Sequence, residues 1–278
     1  MTASPWSVRR GVVLAAVLVA GAVATVHVLQ PSSGATAALG QRGAPLRAAR
    51  WGADQLPGPA TPAFTVPTPH PLRIPVTVSR WAPVAHPAAA RVRPSSSAAV
   101  VTTLSTRTPE GTANLVLVVG VRHTRPGGLW AHVRLPILPN NTEGWVKRSA
   151  LGGYRFVRTR LVVDLRTLRA TLYRGRRIVF RAPVGVGRAS TPTPQGHFYI
   201  RDRLTRYASP FYGPIAFGTS ARSAAVTDWP DGGFVGIHGT DQPGLIPGRV
   251  SHGCIRMRNS DIRRLARLMP IGSPLIVR

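Results

Sequence analysis

Apolar and polar side chains alternate in short runs over the second half of the chain, a pattern typical of half-buried β-strands. Residues 161–165, 170–173 and 178–184 are three such runs, and turn signals near Thr167 and Gly175 separate them. We therefore predict that three strands joined by turns open this half of the chain.

Two more apolar runs and one helical repeat complete the elements predicted there. Residues 234–237 predict a short buried strand, and residues 274–278 predict a closing strand. Between them lies a predicted helix with Asn259 or Ser260 as its cap and Pro270 after its end. The apolar face of this helix consists of Ile262, Leu265, Leu268 and Met269.

Residues 76–153 have shorter apolar runs and more frequent turns. Their predicted strands are residues 98–103, 114–121, 129–135 and 144–146, with turn signals at 109–111, 126–128 and 139–141. Several short strands at this spacing are typical of a small β-barrel. We expect Trp130 and Trp145 to pack in its core or against a neighbouring domain rather than to bind a wall ligand.

Residues 1–30 predict an export segment. Arg9 and Arg10 precede residues 11–29, which carry no formal charge and are close to the length that spans a bilayer. The arginines should stay in the cytoplasm, which places the rest of the chain in the cell envelope, outside the cytoplasm. Small residues at 35–37 fit signal-peptide cleavage, so a cleaved signal and an uncleaved membrane anchor both stay open, and length favours the anchor.

Residues 31–75 are rich in Pro, Ala, Gly and Thr. Such a segment cannot bury enough apolar surface to offset its ordering entropy, so we interpret it as an extended spacer. The expected order is thus an export segment (1–30), a linker (31–75), a small β module (76–153) and a larger β domain (154–278).

Charge narrows the choice of partners. The chain has 36 Lys and Arg residues against 9 Asp and Glu, a formal net charge of +27, and Lys147 is its one lysine. Part of this arginine excess fits a GC-rich genome, but so positive a surface still attracts polyanions such as anionic lipids and acidic cell-wall polymers. Nucleic acid is not expected, because no groove-reading motif and no basic stretch with interleaved aromatic residues is present.

The candidate chemistry lies in residues 238–257, which hold the single cysteine, Cys254. A thiol attacks a carbonyl carbon as its thiolate, so it needs a nearby base and donors for the oxyanion that forms. His238 is the candidate base, and the N–H groups of Gly253 and Cys254 are candidate oxyanion donors. A zinc site built from His238, His252 and Cys254 is disfavoured because no fourth ligand is evident. We expect no metal and no organic cofactor.

These residues resemble the YkuD-type L,D-transpeptidase catalytic domain. The signature positions are His238 and Gly239, then Ser251, His252, Gly253, Cys254 and Arg256; the resemblance extends upstream over residues 161–200, including a Thr-Pro-x-Gly turn at 193–196. It implies a mainly β, sandwich-like catalytic domain with one C-terminal helix. Residues 129–151 also resemble the end of a bacterial Src-homology-3-like module.

The resemblance implies a role for each residue of the site. Cys254 would form an acyl-enzyme with a peptidoglycan stem peptide, and the Gly239 carbonyl would orient the His238 ring. Ser251, His252 and Arg256 would position substrate or hold the cysteine loop. Residues 201–231, which show few regular cues, would form a lid whose aromatic contacts are Tyr207, Phe211, Tyr212 and Trp229.

Two alternatives to cross-linking stay open at this point. The same acyl-enzyme resolved by water would make the protein a cell-wall peptidase or L,D-carboxypeptidase. A non-catalytic cell-wall-binding protein would use the small β module and the positive charge instead, but the intact cysteine motif argues against it.

Overall fold

Nearly all regular structure in the described chain is β-strand. The computed structural model describes residues 77–125, 128–207, 209–226 and 233–278. The predicted export segment, the linker at 31–75 and Trp229 lie outside these residues. Within the described ranges, no helix is long and apolar enough to cross a membrane.

The first seven strands form one antiparallel sheet. They are β1 (Ser79–Pro83), β2 (Ala88–Arg91), β3 (Val100–Leu104), β4 (Leu115–Thr124), β5 (Gly128–Arg134), β6 (Glu143–Lys147) and β7 (Arg155–Val157), in the order β3-β2-β6-β5-β4-β1-β7. All four strands predicted in residues 76–153 are present as β3 to β6, and β1 and β2 are additional. The resemblance to a Src-homology-3-like module stays a prediction.

The rest of the described chain forms two five-stranded sheets and a helix. One sheet contains β8 (Thr159–Asp164), β9 (Arg169–Arg174), β10 (Arg177–Pro183), β12 (Gly196–Tyr199) and β17 (Pro274–Val277), in the order β10-β9-β8-β17-β12. The other contains β11 (Gly185–Gly187), β13 (Ala216–Arg222), β14 (Phe234–His238), β15 (Gly248–Ser251) and β16 (Ile255–Arg256), in the order β13-β14-β16-β11-β15. Helix α1 spans Asn259–Leu268.

A single apolar cluster holds these two sheets and the helix together. Leu161 and Leu172 come from the first sheet, Phe217 and Ile237 from the second, and Leu265 from the helix. Each is fully buried, so the apolar positions of the sequence pattern form the inward face of each element. Over the described residues, the predicted fold class, mainly β with one C-terminal helix, is confirmed.

The predicted helix cap is wrong by one residue. Arg258 occupies the cap position without a side-chain capping bond, and Asn259 is the first helical residue. Asn259 Oδ1 instead accepts a hydrogen bond of 3.0 Å from the N–H of Thr240. The side chain therefore stabilises the loop that follows β14 rather than the helix terminus.

Strand pairing and packing cross the predicted boundary at residue 153. Strand β1 pairs with β7, and a buried cluster joins Trp81 and Leu115 of the module to Val157 and Tyr199 of the following part of the chain. The Tyr199 hydroxyl donates a 3.2 Å hydrogen bond to the carbonyl of Leu115. The module and the part of the chain after residue 153 thus share a buried cluster.

Candidate active site

Strand register brings the predicted base and nucleophile to one wall. In the parallel pair β14–β16, Ile237 lies opposite Ile255 and His238 lies opposite Arg256. Strand β16 begins directly after Cys254, so this pairing fixes Cys254 beside the middle of β14. The N–H of Gly236 points at Cys254 Sγ, at 3.4 Å.

The cysteine loop is closed by Ser251. Its hydroxyl donates to the carbonyl of Cys254 at 2.6 Å and accepts from the N–H of Gly253 at 3.1 Å. Gly253 has φ +117°, a conformation that residues with a Cβ rarely adopt, so the glycine permits the turn that presents the thiol. Of the two roles left open for Ser251, these contacts support holding the loop.

Gly253 does not offer a free oxyanion donor in this conformation. Its N–H, predicted to point into the pocket, is used by Ser251 Oγ, because the tight turn directs it back along the loop. The N–H of Cys254 is the donor that stays a candidate from the predicted pair.

A second loop braces the cysteine loop from outside. The Thr193 hydroxyl donates to the carbonyl of Gly253 at 2.8 Å and accepts from the N–H of Gly187 at 2.9 Å. Thr193 is 4% exposed, so both hydrogen bonds are shielded from water. The Thr-Pro-x-Gly turn recognised in the sequence therefore has a structural partner in the nucleophile loop.

His238 is buried and oriented by its neighbour. Its Nδ1 lies 2.6 Å from the carbonyl oxygen of Gly239, the contact predicted from the sequence. A carbonyl only accepts hydrogen bonds, so Nδ1 carries the proton and Nε2 keeps a lone pair. Burial lowers the pKa of His238 to about 4, with Arg256 adding to the effect and the Gly239 hydrogen bond opposing it. The imidazole is therefore neutral at physiological pH and available as a base.

Cys254 is a free cysteine that is partly exposed and lines the cavity. Burial of its sulfur raises the pKa of the thiol, while the Gly236 N–H and the Arg256 charge act in the opposite direction. The resting pair is thus a neutral thiol and a neutral imidazole, and the proton has to move when substrate is attacked.

Two of the four predicted lid aromatics, Phe211 and Tyr212, contact the histidine ring, and Tyr207 packs against Tyr212. The Tyr212 ring meets His238 edge-on at 4.8 Å, and Phe211 lies 5.3 Å from Tyr212. The Tyr207 hydroxyl donates to the carbonyl of Gly213 at 2.7 Å, which anchors it across this aromatic turn. These rings exclude water from one side of the base. Trp229, the fourth, lies outside the described residues.

Arg256 is a charged side chain that is buried in the cavity wall. It is 6% exposed, its guanidinium lies 4.4 Å from the Phe211 ring centre, and its Nε has no hydrogen-bond partner among the described residues. A buried guanidinium that keeps an unused donor beside a nucleophile can stabilise a negative charge that arrives or develops there.

One cavity of about 250 Å³ collects these groups. Its lining includes the predicted residues Tyr207, Phe211, Tyr212, His238, Ser251, His252, Cys254 and Arg256. His252 is exposed at its rim. In the described part of the chain, no three His, Cys, Asp or Glu side chains are grouped so that they could hold a metal ion.

The cavity wall also contains Glu110, which the sequence analysis did not select. Glu110 belongs to the β3–β4 loop of the small module and pairs with the buried Arg201 at 2.5 Å. The only local signal was a turn motif at 109–111, because its partner lies 91 residues away.

The comparisons with known proteins agree with the motif. Residues 158–277 match the YkuD family model, described as an L,D-transpeptidase catalytic domain. The chain is 39% identical over 116 residues to a Bacillus licheniformis protein named as the L,D-transpeptidase YkuD, which covers 41% of this chain and 62% of that protein. It is 33% identical over 117 residues to the Bacillus subtilis protein of the same name, with 42% and 64% covered.

The chain thus spans less than two thirds of the length of these relatives. Among solved structures, the catalytic domain from the E. faecium L,D-transpeptidase is similar at 24% identity, with 43% of this chain and 96% of that chain covered and a TM-score of 0.33. The match over residues 158–277 includes His238, Gly239 and the Ser-His-Gly-Cys run that ends at Cys254. This part of the chain is therefore similar to the YkuD family of L,D-transpeptidase catalytic domains.

Proposed function

We propose that this protein is a peptidoglycan L,D-transpeptidase that cross-links stem peptides through a thioester on Cys254. The observation that carries the proposal is the arrangement of its base. His238 is buried, neutral and held by the Gly239 carbonyl through Nδ1, on the same cavity wall as the thiol. This tautomer leaves Nε2 to accept the thiol proton.

In the first half of the reaction, Cys254 attacks the carbonyl of the third residue of a donor tetrapeptide. His238 takes the thiol proton as the S–C bond forms, and the carbonyl oxygen becomes an oxyanion near the N–H of Cys254. The C–N bond to the terminal D-alanine then breaks, and His238 returns the proton to the departing amine.

In the second half, the side-chain amine of a neighbouring stem attacks the thioester. His238 accepts a proton from this amine as the new C–N bond forms. The C–S bond then breaks, and His238 returns the proton to the Cys254 thiolate, which restores the thiol. Water would give a free tripeptide by the same route. The aromatic side of the cavity, formed by Tyr207, Phe211 and Tyr212, favours the amine because it keeps the acyl group dry.

Arg256 has a positioning role in this scheme. Its buried charge opposes the burial that raises the pKa of the Cys254 thiol, so it eases formation of the thiolate. Its unpaired Nε offers a donor to an anionic group of the substrate.

The proposal places the protein in the cell envelope, outside the cytoplasm. Donor and acceptor stems are its substrates, and acidic wall polymers are attracted by the formal charge of +27. The small β module at 76–153 and the catalytic domain at 154–278 would act as one body, since they share buried contacts.

Defined stem peptides test the proposal. The purified full chain is incubated with a tetrapeptide donor and an amine-bearing acceptor at several acceptor concentrations, and products are identified by mass spectrometry. We expect a Cys254 acyl-enzyme, release of D-alanine and a cross-linked dimer that exceeds free tripeptide when acceptor is abundant. The Cys254→Ala variant should give none of these. Tripeptide alone at every acceptor concentration would identify a peptidase.

A further inference from the structure

The small β module contributes a charged group to the catalytic cavity. Glu110 lies in the loop between β3 and β4 and lines the same cavity as Cys254 and His238. Its side chain is 13% exposed, so it is a wall residue rather than a solvated surface charge. Its carboxylate both neutralises the buried Arg201 guanidinium and faces the cavity.

The carboxylate of Glu110 is fixed by an arginine and can still accept further hydrogen bonds. Its Oε2 accepts from Arg201 Nη2 at 2.5 Å. Asp202 Oδ2 lies 3.6 Å from the same nitrogen, so two carboxylates share one guanidinium. Asp202 also accepts from the N–H of Gly218 at 2.8 Å and from the Thr112 hydroxyl at 3.4 Å, and it is 3% exposed. Glu110 is therefore the member of the cluster that presents negative charge to the cavity.

Strand β14 indicates on which side of Cys254 the pair of Glu110 and Arg201 lies. Phe234, Val235, Gly236 and His238 of this strand all line the cavity. The Arg201 guanidinium lies 3.8 Å from the Phe234 ring, and Cys254 Sγ lies beside Gly236. Phe234 and Gly236 are two residues apart along the strand, a distance of about 7 Å. The acidic group thus lies on the Phe234 side of the thiol, while Arg256 lies opposite His238 on the other side.

The charged residues that line the two ends of the cavity are Glu110 and Arg256. The guanidinium groups of Arg201 and Arg222 both lie over the Phe234 ring, but neither residue lines the cavity. Only 9 of the 278 residues are Asp or Glu, and two of these nine meet at Arg201 beside the cavity. At the other end, Arg256 is buried with its Nε unpaired. A narrow site with a cation at one end and a carboxylate at the other fits a ligand that carries both charges.

We propose that Glu110 binds the side-chain ammonium group of the diamino acid whose carbonyl Cys254 attacks. This inference rests on the proposed function, and it adds the module to the donor site. The amine of a diamino acid side chain extends several bonds from its own carbonyl carbon, a reach comparable with the two strand residues between Gly236 and Phe234. Glu110 is a specificity residue: it contacts the donor away from the reacting atoms.

A charge-swap experiment on enzyme and substrate tests this. Two donors are compared, the natural tetrapeptide and the same peptide with an uncharged alkyl side chain in place of the amine-bearing one. The rate of Cys254 acylation at low donor concentration is followed by intact-protein mass and D-alanine release, for the wild type and for Glu110→Gln. We expect the variant to acylate about 10-fold or more slowly with the charged donor and equally fast with the uncharged one, since hydrogen bonds to charged groups contribute this much.

The Glu143→Gln variant is the matched control. Glu143 also belongs to the module and also pairs with an arginine, Arg134 at 2.6 Å, but it does not line the cavity. It should acylate with both donors as the wild type does.

Each outcome bears on a different claim. Equal losses with both donors in Glu110→Gln would mean that Glu110 only holds the wall, and the inference would be wrong. The wild type alone gives a second test: if it does not prefer the charged donor, ammonium recognition is refuted whatever the variant does. Failure of the wild type to acylate with either donor would overturn the proposed function instead.

Discussion

The hydroxyl of Thr193 offers the sharpest test of how the nucleophile loop is held. Thr193→Val keeps the shape of the side chain and removes the oxygen that bridges the Gly187 N–H to the Gly253 carbonyl. The site is 4% exposed, so water cannot easily replace the lost partner. One buried donor and one buried acceptor are then left without their partner.

The expected cost follows from these two groups. A buried polar group left unsatisfied costs about 1–3 kcal/mol, so the pair should cost roughly 2–6 kcal/mol. For a unit of this size each kcal/mol lowers the melting temperature by about 2–4 °C. We therefore expect Thr193→Val to lower it by on the order of 10 °C. Acylation of Cys254 should also slow, because the variant no longer holds the Gly253 carbonyl, and this contact fixes the turn before the cysteine.

Thr191→Val is the control for this measurement. Thr191 is only half-buried, and its hydroxyl donates at 3.2 Å to the Ser251 carbonyl, which also accepts from the N–H of Arg188 at 3.0 Å. Its loss should cost under about 1 kcal/mol. Both variants are compared by thermal unfolding and by acylation rate. Equal melting temperatures for the wild type and Thr193→Val would refute the reasoning.

Three further predictions concern the thiol, the base and the contact between the two parts. Because burial raises the pKa of the Cys254 thiol, labelling by iodoacetamide should increase steadily from about pH 7 to about pH 10, and a plateau near neutrality would show a preformed thiolate. The pKa of His238 is about 4 in the folded state and 6.5 in the unfolded reference state. Between these two pH values, unfolded chains bind a proton that folded chains exclude. The free energy of unfolding should therefore fall by up to about 3 kcal/mol as the pH drops from about 6.5 to about 4. Urea unfolding should show a weaker pH dependence for His238→Gln. Gly272→Ala should lower the free energy of unfolding by about 1–3 kcal/mol more than Gly175→Ala does. Both glycines have a positive φ, but only a Cβ at Gly272 would overlap the Trp81 ring. Equal urea midpoints for the two variants would contradict this.

The parts of the fold that the sequence predicted are those whose pattern is local. Strands β8 to β10 alternate or cluster apolar residues, β14 is an apolar run, and α1 repeats apolar residues at helical spacing. The Cys254 motif was equally accessible, because the chemistry of thiol, imidazole and glycine is packed into a few neighbouring positions.

Strand β13 shows why other elements were missed. Residues 201–231 had few regular cues, yet Ala216–Arg222 forms an edge strand of the active-site sheet. Its Thr219 and Ser220 are buried, where the Thr219 hydroxyl donates to the Val235 carbonyl at 2.6 Å and Ser220 Oγ accepts from the Tyr199 N–H at 3.1 Å. A strand that buries hydroxyl groups by pairing them shows no apolar alternation.

The same limit explains why the module was assigned no part in the site. Asn140, in a module turn, accepts from the N–H of Arg222 at 2.9 Å and donates to its carbonyl at 2.7 Å, and so extends the pairing at the end of β13. Asn141 accepts from the N–H of His197 at 2.7 Å in the neighbouring sheet. These are turn residues that any sequence analysis assigns to a surface loop, since their partners lie more than fifty positions away. The turn at Glu110 belongs to the same surface of the module. Because this surface fixes both the end of β13 and one wall of the cavity, changes in the module loops should alter which donor the enzyme accepts before they alter the chemistry at Cys254.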